Sequence, residues 1–407
     1  LPSLLAAGEV IRHGGPATAV ETDGWVSWEA LCAAGDPSFV SPFEIGPSDL
    51  ATILFTSGTT GFPKGCMLSH DYWLVLGQVQ AAQTEDLAPR NFLIWMPFFY
   101  MGGLMEMMLT LSSDGTAHVV RRMSASHFMD WLREYRIHYC YMPLYVMKQH
   151  PPSAADAECQ LKFVQAYFYK GERHHELCDR FGVVGFDGYG SSEQGMALIL
   201  PASARHMIGT GSLGVPAPYR EVKLVDEAGA EVPRGEVGEL WSTGRGIVSG
   251  YYKRPQANAE SFSGKWFRSG DLIRQDADGY YYFVGRLKDM IKRSGENVSA
   301  REVETVLVDH PDVVRAAVVP VPDDRRGEEV MAHVQLAEGR GPADTTPERI
   351  FAHCRESLAS FKVPRYLAYV DAFPLNDSGR VRKSALIAPS GGDMRKGAFD
   401  RIDGLWR

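Results

Sequence analysis

The sequence predicts an α/β fold: a large N-terminal domain of βαβ layers with a smaller antiparallel β layer, and a small mobile α+β C-terminal domain. Short apolar runs alternate with amphipathic helical stretches over residues 51–187, which is typical of a parallel sheet covered by helices. After Gly211, short alternating strands with glycine turns follow, as in antiparallel sheets. With 407 residues, the chain is about twice as long as one compact core usually supports, so at least two domains are expected.

The first half of the chain is predicted as alternating strands and helices. Apolar runs predict strands over residues 51–56, 91–96, 117–120, 162–169 and 183–187, with one more around Tyr139. Amphipathic stretches predict helices over residues 70–83, 126–135 and around 174–180, the first two capped by Ser69 and Ser124. Such units build a largely parallel sheet, and active sites in these sheets lie at the carboxyl ends of the strands.

The second half is predicted to hold an antiparallel layer and a compact α+β module. Antiparallel strands are expected over residues 221–225, 237–241 and 280–284. The module has a capping box at 299–302, a helix to about Asp309, a helix opened by Pro347, and strands over 313–320, 330–336 and 366–370. The predicted domains are therefore 1–286 and 287–389, with a tail over 390–407.

Composition and charge exclude several classes of protein. The formal net charge of −8 argues against a sequence-independent grip on nucleic acid, which needs a clustered basic surface. The six cysteines show no CxxC spacing, so they indicate reduced thiols of a cytoplasmic protein rather than a disulfide framework or a zinc site. The apolar stretch 92–111 resembles a membrane span, but Pro97, Gly102 and Gly103 interrupt it, and no stable membrane insertion is expected.

The most informative segment reads TSGTTGFPKG and follows the first predicted strand. Its glycines let backbone N–H groups converge on an anion, its hydroxyls add donors, and its lysine adds a positive charge. These groups suit a polyphosphate; the alternative is an ordinary Gly/Ser turn. The candidate phosphate ligands are Thr56, Ser57, Gly58, Thr59, Thr60 and Lys64.

This loop resembles the phosphate-binding motif of the adenylate-forming superfamily, which comprises acyl-CoA synthetases, adenylation domains of peptide synthetases and firefly-type luciferases. Further motifs follow in the family's order over about residues 51–386. The resemblance implies ATP, Mg²⁺ and coenzyme A as cofactors. Members of this family normally carry a further subdomain before the phosphate loop, so the large domain is expected to lack its N-terminal part here.

Residues 188–193, GYGSSE, resemble the second nucleotide motif of the family. The resemblance implies that Tyr189 stacks on adenine, that Ser192 contacts the α-phosphate and that Glu193 holds Mg²⁺. The chemistry is sensible, because a hard cation prefers a carboxylate and neutralised phosphate charge lowers the barrier to attack.

Two later segments resemble the ribose-binding and hinge motifs. FRSGD at 267–271 implies that Asp271 accepts the ribose hydroxyls, and GRLKD at 285–289 implies that Arg286 also contacts the ribose. The small domain would rotate at Lys288, which lies at the domain boundary expected from the pattern. Rotation would bring the loop at Gly295, with Lys292, against the pantetheine tunnel. Residues 239–252 also match the family and are interpreted as structural.

The C-terminal motif departs from the family pattern. The family usually has a catalytic lysine in Ser-Gly-Lys-x-x-Arg, whereas residues 378–383 read SGRVRK, so Arg380 stands at the lysine position and Lys383 at the arginine position. Arginine and lysine are not interchangeable where one compact charge bridges two oxygens. We expect Lys383, or alternatively Arg380, to supply the adenylation cation. The alternative interpretation is a solvated basic cluster without a catalytic role. Similar endings occur in the carnitine/crotonobetaine-CoA ligase-like branch.

The acyl pocket is expected at two segments. PFFYMGG at 97–103 resembles the segment where the family places a gating residue, which implies Tyr100 as the gate, beside Met101 and Gly102. Tyr169, Lys170, Gly171 and Glu172 stand where many members have Gly-Gly-Ala-Pro, between adenine and acyl group. Two charges there disfavour an aliphatic chain, which indicates a small or polar acid.

The expected function is an ATP-dependent carboxylate–CoA ligase, an acid–thiol ligase that forms an acyl adenylate, releases pyrophosphate and transfers the acyl group to CoA. Two alternatives stay open: loading of a carrier-protein thiol, and a nucleotide-binding regulator that has lost catalysis. The sequence does not determine the acid or the oligomeric state.

Overall fold

The computed structural model describes residues 10–12, 25–27, 32–36, 38–56, 64–84, 87–167, 169, 171–294, 296–375, 381–387 and 393–407. The chain divides into two compact units, Leu1–Gly46 and Pro47–Arg407. In the first unit, strands β1 (Val10–Arg12) and β2 (Trp25–Ser27) pair in parallel. All elements described below belong to the second unit.

A parallel sheet forms the centre of the large domain. Its strands, in spatial order, are β6 (Thr116–Val119), β5 (Asn91–Ile94), β7 (Tyr139–Tyr141), β8 (Phe163–Gln165) and β9 (Val184–Phe186). The helices of this region are α1 (His70–Thr84), α2 (Met101–Ser112), α3 (Ala125–Glu134), α4 (Leu144–Gln149) and α5 (Gly171–Phe181). Alternate side chains of the strands enter two separate apolar clusters, so helices cover both faces of the sheet, as predicted.

The strand before the phosphate loop differs from its prediction. Strand β3 (Leu50–Thr56) does not join the parallel sheet but pairs antiparallel with β4 (Lys64–Ser69). Only Leu54 of β3 is buried, whereas Phe55 is 63% exposed, because the hairpin rests on α1 mainly through β4. The expected cap of α1 is confirmed, since Ser69 Oγ accepts a hydrogen bond from Tyr72 N at 3.1 Å.

Ser124 occupies the expected capping position of α3 but does not cap the helix. Its hydroxyl lies 3.1 Å from that of Ser126 instead, so the prediction of a capping hydrogen bond is wrong.

Antiparallel sheets follow the parallel one, as predicted. One contains β10 (Gly188–Ser191), β11 (Gly195–Ile199) and β12 (Val215–Pro216). The other contains β13 (Arg220–Val225), β14 (Val237–Gly244), β15 (Phe262–Ser263), β16 (Trp266–Gln275) and β17 (Tyr281–Arg286), with α6 (Pro255–Ser261) between β14 and β15. The predicted fold class is thereby confirmed.

The C-terminal module is an antiparallel sheet with two helices and one parallel strand pair. Its strands are β18 (Met290–Arg293), β19 (Glu296–Ser299), β20 (Val313–Asp323), β21 (Gly327–Leu336) and β22 (Tyr366–Tyr369), of which β21 and β22 are parallel. Helices α7 (Ala300–Asp309) and α8 (Pro347–Ser357) pack on it. Ser299 Oγ caps α7 by accepting from Glu302 N, which confirms the expected helix start.

The last residues extend this sheet instead of forming a separate tail. Strand β23 (Phe399–Asp400) pairs with β22, and β24 (Leu405–Trp406) pairs with β23. Asp400 anchors them, because its buried carboxylate accepts hydrogen bonds from Arg365 and Arg407.

No helix among the described residues is long and apolar enough to cross a membrane. The apolar stretch 92–111 holds most of β5, a turn at 98–100 and the greater part of α2.

Candidate active site

The phosphate-loop hairpin brings its two ends together. Thr56, at the end of β3, pairs in register with Lys64, at the start of β4, and its hydroxyl donates to the Lys64 carbonyl at 3.4 Å. The predicted ligands between them, Ser57, Gly58, Thr59 and Thr60, lie outside the described residues. Their roles therefore stay predictions.

Tyr251 connects Lys64 to the predicted metal ligand. The Lys64 ammonium lies 4.7 Å from the centroid of the Tyr251 ring, and the Tyr251 hydroxyl donates to Glu193 Oε1 at 2.8 Å. The Tyr251 loop is bound to β4, because Met67 N donates to Gly250 O and Tyr252 N donates to Gly65 O. The structure thus connects two predicted residues through Tyr251, which sequence reasoning interpreted as structural. The match of residues 239–252 to the family was the signal in the sequence that could have identified it.

The turn that carries Glu193 is held on several sides. It joins β10 to β11, and Val248 N donates to the Glu193 carbonyl. Arg220 Nε donates to the carbonyl of Gln194, and Ser242 Oγ donates to its side-chain oxygen at 2.7 Å. A carboxylate held in this way suits a hard cation whose other ligands are phosphate or water oxygens. Among the described residues, no group of three or more His, Cys, Asp or Glu side chains could hold a metal ion.

A buried hydroxyl near Glu193 has unused hydrogen-bonding capacity. The Oγ of Ser191 is buried and has no hydrogen-bond partner among the described residues. Since buried hydroxyls are normally satisfied, this atom fits a phosphate or sugar oxygen. Sequence reasoning assigned the contact with the α-phosphate to Ser192, which is half-buried in the same turn. Ser191 and Ser192 are therefore both candidates for this contact.

The predicted adenine and ribose residues contact each other. The Tyr189 hydroxyl donates to Asp271 Oδ2 at 2.7 Å, and both side chains are buried. Arg286 Nε lies 2.9 Å from Asp271 Oδ1, an ion-pair distance, but no hydrogen bond of good geometry from a described residue reaches that buried oxygen. Burial raises the pKa of Asp271, and Arg286 opposes this rise. An oxygen with spare acceptor capacity fits a ribose hydroxyl.

Glu239 positions the turn before Asp271. Its carboxylate accepts hydrogen bonds from Gly270 N at 2.9 Å and from the Trp241 indole at 2.8 Å. Like Tyr251, it belongs to the segment that sequence reasoning took as structural.

The expected hinge is a short 3₁₀ helix, Leu287–Asp289, directly after β17. Partial desolvation lowers the pKa of Lys288 although its side chain is exposed, and the neighbouring cations Arg286 and Lys64 lower it further. The predicted role of Lys288 in rotation is not tested by these contacts.

The predicted catalytic lysine is bound within the C-terminal module. Lys383 Nζ lies 2.7 Å from Glu304 Oε1 on α7 and 3.8 Å from Asp289 Oδ2 in the hinge. Glu304 Oε1 also accepts from Val318 N at 2.8 Å. The alternative cation, Arg380, lies outside the described residues.

The predicted pantetheine loop is only partly described. Lys292 Nζ lies 3.7 Å from Glu227 Oε1, but both side chains are largely exposed, so this pair contributes little to stability. Gly295 lies outside the described residues. A second pair, Arg173 to Asp309 at 3.7 Å, joins α5 to the end of α7.

The expected acyl-pocket residues flank α2 and α5. Tyr100 precedes α2, which begins with Met101, and Gly102 lies against the Met96 side chain, since a Cβ added to this glycine would lie 2.5 Å from Met96 Sδ. Tyr169 is buried, and its hydroxyl has no partner among the described residues.

The segment that follows Tyr169 begins α5. Gly171 has φ of 53° and donates to Gly209 O, whereas Glu172 is exposed and Lys170 lies outside the described residues.

His174, to which sequence reasoning assigned no role, joins α5 to β9 and to the loop at Gly209. Its Nε2 lies 2.5 Å from Gly185 O on β9, and its Nδ1 accepts from Gly209 N at 2.9 Å. The segment 209–214 therefore braces the start of α5, and it leads into β12.

Candidate nucleotide-binding groups at strand ends, followed by a small α+β module, are typical of the class of adenylate-forming enzymes. The chain belongs to the AMP-binding enzyme family: the family model matches residues 2–252, and the model of the AMP-binding enzyme C-terminal domain matches residues 302–380. It is an AMP-forming acid–thiol ligase, and its class uses ATP, Mg²⁺ and coenzyme A.

Known proteins agree with this placement. A crotonobetaine/carnitine–CoA ligase of Escherichia coli is 33% identical over 353 residues, which cover 84% of this chain and 67% of the relative. The amide bond synthetase McbA of Marinactinospora thermotolerans is 29% identical, with a TM-score of 0.70 over 83% of this chain and 69% of that one. ATP-bound MatB of Rhodopseudomonas palustris is 25% identical, with a TM-score of 0.74 over 88% and 71%.

Proposed function

We propose that the protein is an ATP-dependent ligase that joins a small, polar carboxylic acid to coenzyme A. The observation that carries this proposal is the contact chain from Lys64 through Tyr251 to Glu193, beside the buried pair of Tyr189 and Asp271. It provides, in one place, a cation for phosphate, a carboxylate for a metal and an acceptor for ribose. The acid–CoA ligase named among the relatives supports CoA as the acceptor.

The residues act by binding and orienting. ATP, when bound, supplies a phosphorus that a carboxylate attacks and a pyrophosphate leaving group. Lys64 and the Thr56 hydroxyl would hold the phosphates, Glu193 would hold Mg²⁺, and Asp271 would accept from the ribose. Fixed charges of this kind stabilise the charge that develops at the reacting phosphorus. In many enzymes such electrostatic stabilisation is the largest contribution to the rate enhancement.

The adenylation cation comes from the C-terminal module. In the present arrangement Lys383 is paired with Glu304 and Asp289, so it must leave both to reach the substrate carboxylate. We propose that rotation at Lys288 releases it, and that the opposite rotation presents Lys292 and Gly295 to the pantetheine chain. This proposal places the boundary between the large domain and the C-terminal domain between residues 286 and 287.

Adenylation rates of Lys383→Ala and Arg380→Ala identify the cation. We expect Lys383→Ala to reduce carboxylate-dependent ATP–pyrophosphate exchange by at least about a hundredfold, because one charge contact to the transition state is lost. A large loss in Arg380→Ala alone would transfer the role to Arg380. Near-normal rates in both variants would exclude both residues.

A panel of carboxylic acids tests the whole proposal. AMP release would be measured for each acid with CoA, with a phosphopantetheinylated carrier protein, and with an amine, since one structural relative is an amide bond synthetase. Free acyl-CoA is the expected product. Product formed only with the carrier protein, or only with the amine, would show that this compound is the acceptor instead of CoA. The absence of AMP release with every acid would refute the ligase proposal. The cytoplasmic location stays a prediction from the cysteine pattern.

A further inference from the structure

A buried arginine at the start of β13 donates hydrogen bonds to four backbone carbonyls. Arg220 is 8% exposed, and its Nε donates to Gln194 O at 3.0 Å. The two terminal nitrogens of the guanidinium donate to three further carbonyls, those of Tyr219, Arg245 and Gly246. A buried charge loses its water, and here the four carbonyl dipoles compensate it.

The acidic residue whose charge acts on Arg220 binds a different guanidinium. Asp71 opposes the lowering of the Arg220 pKa by burial, but its carboxylate accepts three hydrogen bonds from Arg245, at 2.6–3.0 Å. An arginine side chain stays protonated in proteins, so Arg220 remains a cation among carbonyl oxygens. Such a cation fixes the backbone segments to which the oxygens belong.

Two segments that hold Glu193 supply three of these carbonyls. The Glu193 turn, residues 192–194, joins β10 to β11, and the β14 loop, residues 245–251, follows β14. Within the loop, Val248 N donates to Glu193 O at 2.8 Å, and the Tyr251 hydroxyl donates to Glu193 Oε1 at 2.8 Å. The direction of the Glu193 carboxylate therefore depends on how the turn and the loop are spaced.

Arg220 sets that spacing. Its Nε binds the turn through Gln194 O, whereas its terminal nitrogens bind the loop through Arg245 O and Gly246 O. The turn lies close to the guanidinium, since a Cβ added to Gly195, which has φ of 61°, would lie 3.1 Å from Arg220 Nη2. A guanidinium presents five donors in one rigid, planar fork, whereas an ammonium group has no fixed fork. The two segments are thus held at one distance.

The β14 loop is also attached to the helix that follows the phosphate-loop hairpin. Arg245 binds Asp71, which lies in the first turn of α1, and α1 directly follows β4, the strand that begins with Lys64. The loop therefore connects the predicted phosphate-binding lysine with the predicted metal ligand. A metal ion that bridges a carboxylate and phosphates needs these two sides in a fixed relation.

We propose that Arg220 is a positioning residue for Glu193, a cation tethered by the chain that organises four carbonyls so that the Glu193 turn and the β14 loop orient the carboxylate toward a metal ion. The inference rests on the proposed ligase function, in which Glu193 holds Mg²⁺, and adds a residue to that site. Loss of a group that orients a metal ligand typically reduces metal affinity or activity by about 10–100-fold.

Titration of carboxylate-dependent ATP–pyrophosphate exchange with Mg²⁺ at fixed ATP tests the inference. Arg220→Lys keeps the charge but not the fork, so we expect the Mg²⁺ concentration for half-maximal exchange to rise by about 10–100-fold while the KM for the carboxylic acid stays unchanged. Arg90→Lys is the matched control, because Arg90 also donates to two backbone carbonyls but lies just before β5, at the amino end of that strand. It should keep the wild-type Mg²⁺ requirement.

Hydrogen–deuterium exchange of the nucleotide-free protein provides a readout without catalysis. We expect peptides that contain residues 192–194 and 245–251 to exchange faster in Arg220→Lys than in the wild type, because the turn and the loop lose their shared cation. The same peptides should exchange at the wild-type rate in Arg90→Lys.

Chemical rescue separates the missing cation from a general loss of structure. Arg220→Ala leaves a space lined by the same four carbonyls, so we expect millimolar guanidinium chloride to return its Mg²⁺ requirement toward that of the wild type. Tetramethylammonium chloride at equal ionic strength has no N–H donor and should have no such effect. Thermal unfolding shows whether each variant is folded, and Arg220→Lys tests the inference even if Arg220→Ala is not.

Three results would overturn the inference while leaving the ligase proposal intact. They are an unchanged Mg²⁺ requirement in folded Arg220→Lys, unchanged hydrogen exchange of both segments in that variant, and equal recovery of Arg220→Ala with the two salts. The absence of AMP release by the wild type with every acid would instead refute the ligase proposal, and the hydrogen-exchange comparison would still show whether Arg220 fixes the Glu193 turn.

Discussion

Tyr251 joins residues that lie far apart in the sequence. Its ring contacts the Lys64 ammonium, and its hydroxyl donates to Glu193. Burial, with Glu193 nearby, raises the pKa of Tyr251, so the hydroxyl stays protonated and remains a donor at every physiological pH. The tyrosine therefore orients the carboxylate without competing with it for a metal ion.

Tyr251→Phe should weaken metal-dependent adenylation while leaving the ring contact with Lys64. A hydrogen bond to a charged group contributes about 1.5–3 kcal/mol, so we expect a loss of about ten- to a hundredfold in ATP–pyrophosphate exchange at limiting Mg²⁺. Titration of exchange activity with Mg²⁺ measures the effect. Tyr252→Phe, which alters a largely exposed ring next in sequence, is the control, and equal behaviour of the two variants would contradict this role.

His174 is neutral in the folded protein. Burial lowers its pKa, and a proton on Nδ1 would abolish the bond that this atom accepts from Gly209 N. The unfolded chain therefore binds a proton more readily than the folded one. Stability is fully present above a pH of about 6.5 and falls as the pH drops toward the lowered folded pKa.

His174→Gln should reduce that acid sensitivity. Each proton linked to unfolding changes the free energy by about 1.4 kcal/mol per pH unit, so the difference in unfolding free energy between pH 7.5 and 5.5 should shrink by up to about 1 kcal/mol. Urea unfolding at the two pH values measures it. His175→Gln, an exposed neighbour, should keep the wild-type difference. A variant as acid-sensitive as the wild type would show that His174 is not the linked group.

At the scale of elements, periodicity predicted the βαβ succession because both faces of the parallel sheet are apolar. It did not separate β3 from that sheet, since an apolar run has the same appearance in a parallel sheet and in a hairpin. Hydrogen-bonded partners distant in sequence, such as Tyr251 with Glu193, leave no periodic signal. The pairing of Lys383 with Glu304 depends on how α7 packs, which local patterns do not contain.

The C-terminal strands make a second prediction at this scale. Asp400 is fully buried; burial alone would raise its pKa, but the hydrogen bonds from Arg365 and Arg407 lower it. Asp400→Asn removes the buried charge that both guanidinium groups share, while Arg365 keeps Asp323 and Arg407 keeps Asp403 as partners. Because a hydrogen bond to a charged group contributes about 1.5–3 kcal/mol, we expect a loss of that size in the free energy of unfolding. Asp403→Asn, whose partly exposed carboxylate also pairs with Arg407, should cost less than about 1 kcal/mol. Urea unfolding compares them, and equal losses would refute the anchoring role.

At the scale of the whole molecule, the proposed mechanism gives the C-terminal module a different position in each of the two half-reactions. Lys383 is held by Glu304, which is itself fixed by Val318 N and is 15% exposed on its side chain. A ligand or a mutation shifts such an equilibrium only by the free energy with which it distinguishes the two positions. The pair therefore stabilises the arrangement in which Lys383 is bound to Glu304.

Glu304→Gln should shift the module toward adenylation, because the amide oxygen can still accept from Val318 N while the charge that holds Lys383 is removed. A half-buried pair of about 1 kcal/mol corresponds to about a fivefold shift, so we expect ATP–pyrophosphate exchange to rise by a few-fold and thioester formation from preformed acyl adenylate not to rise. Glu302, on the same helix as Glu304, pairs with Lys362 at the same distance of 2.7 Å, so Glu302→Gln is the control and should leave both rates unchanged. Single-turnover measurements of each half-reaction separate these rates. Slower exchange in Glu304→Gln, or an equal rise in Glu302→Gln, would show that Glu304 does not restrain Lys383.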